Sequence, residues 1–472
     1  MVTPALPIEV LPRKTGFKSG TLLRGLAAIG QRKQFSDPYP PTRKSRVRVL
    51  WVKAGKLLPV DTGGKIRSYN ILRRLARNKD KDKNKDEKRD PQLTLLSYYG
   101  GRRDPEYEAA LLQHFPHAQV VYTAATDSEG FRGVLDYLSK LFRLAPYSVS
   151  KFTHPIVREL IANQLASGQF DVAVCDFLAP SLNFPKKLPI PCLLFQHNVE
   201  SALWRRMATT ESHPLRKLAY TLEAARMSRY ERRTLARFHH IVAVSENDRQ
   251  QMIAMDPSCE ITVNPTGVDT QQFQIAPPSS AAPPRIVFTG SMDWEPNIDA
   301  MEYFCAQIWP RILAEFPDAI FQIVGRTPFP RVQRLASKSV VVTGTVPSVQ
   351  DYLRDATVVV VPLRIGGGTR LKIYEAMAMG KALVSTSIGA EGLSFENGRD
   401  LLLADDASSF ADAILLLLRD DHVRRKFEQA AVKLAAQFDW SVVAGQFAEV
   451  LQQMASRSSA GTRVGKTVAV DR

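Results

Sequence analysis

Between residues 46 and 386, short apolar runs of strand length recur at intervals that leave room for a helix; the series breaks once, at a proline-rich stretch, and then starts again. Arg46-Val-Arg-Val-Leu-Trp-Val52 alternates and then turns apolar, as a first buried strand does. The Pro/Asp/Gly loop Leu58–Gly64 follows, then Ile66, Tyr69, Ile71, Leu72 and Leu75 at helical spacing. Strand, glycine loop and helix open a doubly wound α/β domain. Further strands are expected at Leu93–Tyr99, Gln119–Tyr122, Val172–Cys175, Cys192–Phe195 and Ile241–Val244. Ile275–Arg285 (IAPPSSAAPPR) has four prolines and too few large apolar groups for a core, so it reads as a linker. Beyond it come strands at Ile286–Thr289, Ala319–Val324, Val340–Thr343, Thr357–Pro362 and Ala382–Thr386, and helices near Ala300–Phe316 and Leu371–Met379. The expected organisation is a basic flexible arm (1–45), an α/β domain (46–274), the linker (275–285), a second α/β domain (286–439), a closing helix (440–454) and a disordered tail (455–472). Two α/β units on a stiff linker leave a cleft between them.

Composition narrows the function. The chain is 44% hydrophobic and 23% charged, and no apolar run approaches the roughly 20 residues that span a bilayer. Cys175, Cys192, Cys259 and Cys305 are scattered, which suits neither a disulfide framework nor a zinc cluster. With no clean signal-peptide core, a cytoplasmic protein is expected. The net charge of +16 is uneven: residues 46–284 carry +10, residues 285–454 carry −3, and the tails hold the rest. No helix-turn-helix, zinc-finger or RNP-like cue accompanies it, so nucleic acid is not the expected partner. The excess concentrates in Ser201–Phe238, with Arg205, Arg206, Arg216, Lys217, Arg226, Arg229, Arg232 and Arg233. That stretch reads as a solvated helix face or as a peripheral contact with anionic membrane.

The densest chemistry lies in Val359–Gly380. An apolar strand ends, Gly366, Gly367 and Gly368 let the backbone come close to a ligand, and a helix begins near Thr369–Arg370. Backbone N–H groups at that start, with Arg370, Leu371 and Lys372, suit a diphosphate, and Glu375 one turn on can accept from sugar hydroxyls. The plain alternative is a glycine turn with surface charges. His197 stands just past the strand Pro191–Phe195, where open α/β sheets place ligand groups. Gly63 and Gly64 either shape a turn or admit a phosphate or acceptor, Asp61 beside them is ambiguous, and Glu391 is a loop acid. Asp80-Lys81-Asp82 spells an acidic metal motif but lies inside a mixed-charge run, and no His/Cys/Asp cluster has metal spacing. No GxGxxG fingerprint supports a dehydrogenase.

Gly-Gly-Gly-Thr-Arg-Leu-Lys-Ile-Tyr-Glu-Ala-Met-Ala-Met-Gly (366–380) resembles the donor-site signature of family-4 retaining glycosyltransferases, which adopt the GT-B fold of two Rossmann-like doubly wound domains facing an interdomain cleft. Pro59–Gly64, Gln196–Glu200, Val244–Asp248, Asn264–Asp269, Gly290–Asn297 and Gly389–Gly392 match further motifs in family order, over roughly residues 46–454. The variant associated with bacterial exopolysaccharide gene clusters is the most similar. The resemblance implies a nucleotide-sugar donor, a glycan or lipid-linked acceptor, and no metal or other cofactor. It implies that Glu375 binds the ribose, that the Gly366–Thr369 turn holds the diphosphate, that His197 contacts the donor sugar or reacting centre, and that Glu391 lies near the donor. Two departures stand out. The family pattern is Glu, seven residues, Glu, and its first position is Gly367; the Arg and Lys that many members carry after the first strand of the second domain are missing from Gly290–Asn297. Arg370 and Lys372 are expected to compensate. A non-catalytic partner of a glycan assembly complex, a nucleotide-sugar epimerase and an inverting transferase are the alternatives.

Overall fold

The computed structural model describes residues 46–76, 91–123, 145–211, 213–277, 283–365 and 370–464. The expected arm, the run containing Asp80-Lys81-Asp82, the middle of the linker and Gly366, Gly367, Gly368 and Thr369 lie outside the described residues.

Strands β1 (Arg48–Ala54), β2 (Gln92–Tyr99), β3 (Gln119–Tyr122), β4 (Val172–Asp176), β5 (Cys192–Phe195), β6 (His240–Ala243) and β7 (Ile261–Val263) form one sheet in the order β3-β2-β1-β4-β5-β6-β7. Strands β8 (Arg285–Thr289), β9 (Ile320–Val324), β10 (Val340–Gly344), β11 (Val358–Val361), β12 (Ala382–Ser385) and β13 (Leu402–Leu403) form a second, ordered β10-β9-β8-β11-β12-β13. In each, the first strand is central and the order reverses beside it: two Rossmann-like doubly wound sheets. Parallel strands are covered on both faces. Leu50, Trp51 and Val52 of β1 and all of Val358–Val361 are accordingly buried, which is why these strands read as unbroken apolar runs.

Helix α1 (Gly63–Ala76) follows β1. The basic stretch expected as one helix is two, α2 (Glu200–Thr210) and α3 (Pro214–Leu235): Pro214 has no N–H to continue α2 and instead opens α3. Helix α4 (Glu246–Met255) is capped by Ser245, whose Oγ accepts from the Asp248 N–H at 3.1 Å. Helix α5 (Leu371–Ala378) follows β11 and begins at Leu371, as expected, directly after Arg370. The last helix, α6 (Trp440–Val464), runs ten residues past its expected end at Met454, so 455–464 are helical rather than a disordered tail; the Ala, Ser and Arg that dominate there oppose a helix only weakly.

The chain groups into two compact units, one of residues 1–59, 75–194 and 450–472 and one of residues 60–74 and 195–449. Every described candidate residue lies in the second.

Candidate functional site

Two of the expected groups converge around His197. The ring is 2% exposed, lies 4.3 Å from the Phe195 ring centroid, and its Nδ1 is 3.8 Å from where a side chain on Gly64 would begin. Gly63 and Gly64 are the first residues of α1, whose first-turn N–H groups have no partner within the helix. Asp61 is turned to other work: Lys65 Nζ binds its Oδ1 at 2.9 Å, and that bond, ahead of burial, holds the carboxyl below its usual range.

The turn that carries His197 is fastened from behind by Glu231 of α3, a residue sequence reasoning passed over. Its fully buried carboxylate accepts from Gln196 Nε2 at 3.2 Å, from the Glu200 N–H at 2.9 Å and from the Ser201 N–H at 3.1 Å. Burial raises the Glu231 carboxyl, while three donors favour its ionised form. Neighbouring Glu200 is pushed up to about 7 by burial and then by the Glu231 charge. Glu231→Ala should strand three buried donors and cost about 2–3 kcal/mol of stability, read as a lowered urea midpoint. An unchanged midpoint would remove Glu231 from this role.

The second group gathers where β8 and β11 end, at the reversal of the six-stranded sheet, where open α/β sheets take ligands. Lys372 Nζ lies 4.0 Å from the Phe288 ring centroid, 3.5 Å from Asn297 Oδ1 and 2.8 Å from where a Cβ on Gly290 would sit. Asn297 is fixed in turn by its Nδ2 donating to the Ser291 carbonyl at 2.7 Å. Arg370, 6% exposed, places its guanidinium 5.4 Å from the Trp294 ring centroid. Protein crowds the Lys372 and Glu375 head groups although neither residue is wholly hidden from solvent. Desolvation, then the Arg370 charge, pushes Lys372 down to about 7, opposed by Glu375. Desolvation pushes Glu375 up to about 7, opposed by Lys372. Leu371 opens the helix that carries Lys372 and Glu375, with Arg370 at its N-cap.

Glu391, in the loop after β12, is held by Arg206 of α2 through a two-pronged pair at 2.6 and 3.1 Å. The pair borders a recess also lined by Asn198, Ala202, Ser245 and Asp248. Arg370 feels both charges of this pair, which ties Glu391 to the cationic group. Buried Arg67 of α1 is another residue sequence reasoning missed: its Nε donates to Thr266 Oγ1 at 3.2 Å, and burial pushes it down to about 10 against the attraction of Asp248. Its spacing with Ile71 and Leu75, four and eight residues on, was the available signal.

Residues 283–420 match the family model described as "Glycosyl transferases group 1", and residues 108–272 the one described as "Glycosyltransferase Family 4". The chain belongs to the group 1 glycosyltransferases. Among the relatives of this glycosyltransferase is a phosphatidyl-myo-inositol mannosyltransferase of Mycolicibacterium smegmatis, 26% identical over 329 residues that cover 67% of this chain and 79% of that protein. One of the same name from Mycobacterium leprae is 27% identical over 234 residues, 46% of this chain and 60% of that one. The fold of the glycosyltransferase resembles Anabaena Alr3699/HepE in complex with UDP, with a TM-score of 0.57, 14% identity, and 86% of this chain and 100% of that one covered. It also resembles sucrose-phosphate synthase from Thermosynechococcus elongatus, with a TM-score of 0.62, 16% identity, and coverage of 87% and 100%. The architecture of the glycosyltransferase is GT-B.

Proposed function

We propose that the protein moves a hexosyl group from a nucleoside diphosphate donor to a glycan or lipid-linked acceptor, with retention at the anomeric carbon and without a metal ion. The observation that carries this is the placement of Lys372 Nζ above Gly290 and beside Asn297, with Arg370 at the N-cap of the same short helix and Glu375 one turn into it. In this reading the two cations face the diphosphate and supply the charge absent from Gly290–Asn297, and Glu375 holds the ribose hydroxyls. His197 faces the transferred sugar. As the bond from the anomeric carbon to the diphosphate oxygen breaks, fixed positive charge stabilises the leaving group. The acceptor oxygen bonds to the same face of that carbon, and the departing diphosphate oxygen takes its proton. The printed name of the Mycolicibacterium smegmatis relative, a lipid mannosyltransferase, supports a hexosyl donor and a lipid-linked acceptor. The setting proposed is cell-surface or exopolysaccharide synthesis at the inner face of a membrane.

A thermal-shift panel of UDP, GDP, ADP and dTDP with and without EDTA tests the donor site. Saturation at about 100 times the dissociation constant adds roughly 2.7 kcal/mol, so one base should stand out and be indifferent to EDTA. Arg370→Ala should weaken that nucleotide at least tenfold. No shift from any nucleotide would overturn the reading, and full affinity in Arg370→Ala would overturn the role of that arginine.

A further inference from the structure

Helices α2 and α3 form a hairpin, with Trp204 against Tyr220 at 5.9 Å between ring centroids. Its tip is the most apolar exposed feature among the described residues. Leu215 is 72% exposed, Leu218 and Leu222 are each 57% exposed, and Met207 on the facing helix is 43% exposed. The leucines fall at i, i+3 and i+7, so they line one stripe of α3. Every residue from His213 to Leu218 is exposed, which makes the start of α3 a projecting end rather than a wall of a groove. Arg216 and Lys217 flank the stripe, and no acidic residue falls between Pro214 and Leu222. No helix among the described residues is long and apolar enough to cross a membrane.

We propose that this hairpin tip docks on a membrane surface carrying anionic lipids, with Leu215, Leu218 and Leu222 entering the headgroup layer and Arg216 and Lys217 on the lipid phosphates. This deepens the lipid-linked acceptor in the proposed function by naming the surface that meets the lipid. A second copy of the chain fits less well, because a symmetric contact would press cations against cations. A projecting end with isolated leucines suits a fluid layer, since a folded partner would need a pocket for each. Leucines entering the interface and basic residues meeting anionic headgroups act together, and either alone binds weakly.

The test is flotation of the full-length protein with vesicles of phosphatidylcholine alone or with 30–40% phosphatidylglycerol, about the anionic content of a bacterial-type surface. Wild type should float with the anionic vesicles and stay behind with the neutral ones. Leu218→Glu/Leu222→Glu should cut the bound fraction at least tenfold with an unchanged melting temperature, and Arg216→Glu/Lys217→Glu should remove the preference for phosphatidylglycerol. Wild type left unbound at low salt, or the leucine double variant floating as wild type does, would overturn the proposal. A wild-type dimer that the leucine variant disperses would assign the stripe to self-association instead and overturn it too. Vesicle binding needs no donor and the nucleotide panel needs no vesicle, so failure here is distinguishable from failure of the donor reading.

Discussion

Lys372→Ala is expected to lower kcat/KM by roughly 100- to 1,000-fold, the range for deleting one fixed charge at a site of developing negative charge. The lysine packs between Asn297 and the backbone at Gly290: a side chain on Gly290 would collide with its Nζ. The pH dependence has a definite sign. In the free protein Lys372 titrates near 7 because burial and Arg370 disfavour its charge. A bound diphosphate restores that charge, so above pH 7 binding takes up a proton and affinity falls as pH rises. Calorimetry at pH 8 in buffers of different ionisation enthalpy should show the uptake in wild type and lose it in Lys372→Ala. Stability runs the other way. The unfolded chain binds more protons than the folded one between about pH 7 and the ordinary lysine value, so the cost of burying this charge is full below pH 7 and fades above it. Lys372→Met should therefore melt no lower than wild type at pH 6.5, which separates a lost charge from a lost fold. Equal turnover in Lys372→Ala would overturn the assignment.

Gly325→Ala is expected to be the most damaging added methyl among the described glycines, costing about 3 kcal/mol or more. A Cβ at 325 would sit 1.6 Å from the Gly290 carbonyl oxygen and 2.7 Å from its carbon. Gly290 is held in place by donating its N–H to the Val324 carbonyl at 2.9 Å, so both sides of the clash are backbone and neither can swing away. The ends of β8 and β9 would have to part, beneath Lys372. Urea denaturation should show the loss, with nucleotide affinity falling alongside it. Gly445→Ala is the control: it lies in α6 with nothing within 4 Å of the added carbon, and should stabilise by about 0.5–1 kcal/mol. Two equal midpoints would mean that the strand ends yield more readily than their spacing implies.

The strands were legible wherever burial on both faces writes a continuous apolar run, as in β1, β5, β11 and β12. Strands β7, with three partly buried residues, and β13, with two, leave no such run and were passed over. Pro214 marks the break between α2 and α3 in the sequence itself, but the charges on either side drew the two helices into one. The end of α6 was misplaced because loss of large apolar residues was taken for loss of helix. In the site, Arg370, Lys372, Glu375 and His197 were legible because glycine loops and strand ends advertise ligand positions. Glu231 and the Arg206–Glu391 pair were not, since their meaning lies in partners 30 to 185 residues away that no local pattern brings together.

The exit of β8 contributes backbone and, at Gly290, a missing side chain whose place Asn297 and the Lys372 ammonium fill, while a single helix start brings Arg370, Lys372 and Glu375 together. In engineering terms these three charges are one contiguous cassette, Arg370 to Glu375, with its spacing built into the helical repeat. Grafting that segment between homologues moves both cations and the carboxylate in register. The recipient must keep a glycine at the strand exit that faces the lysine.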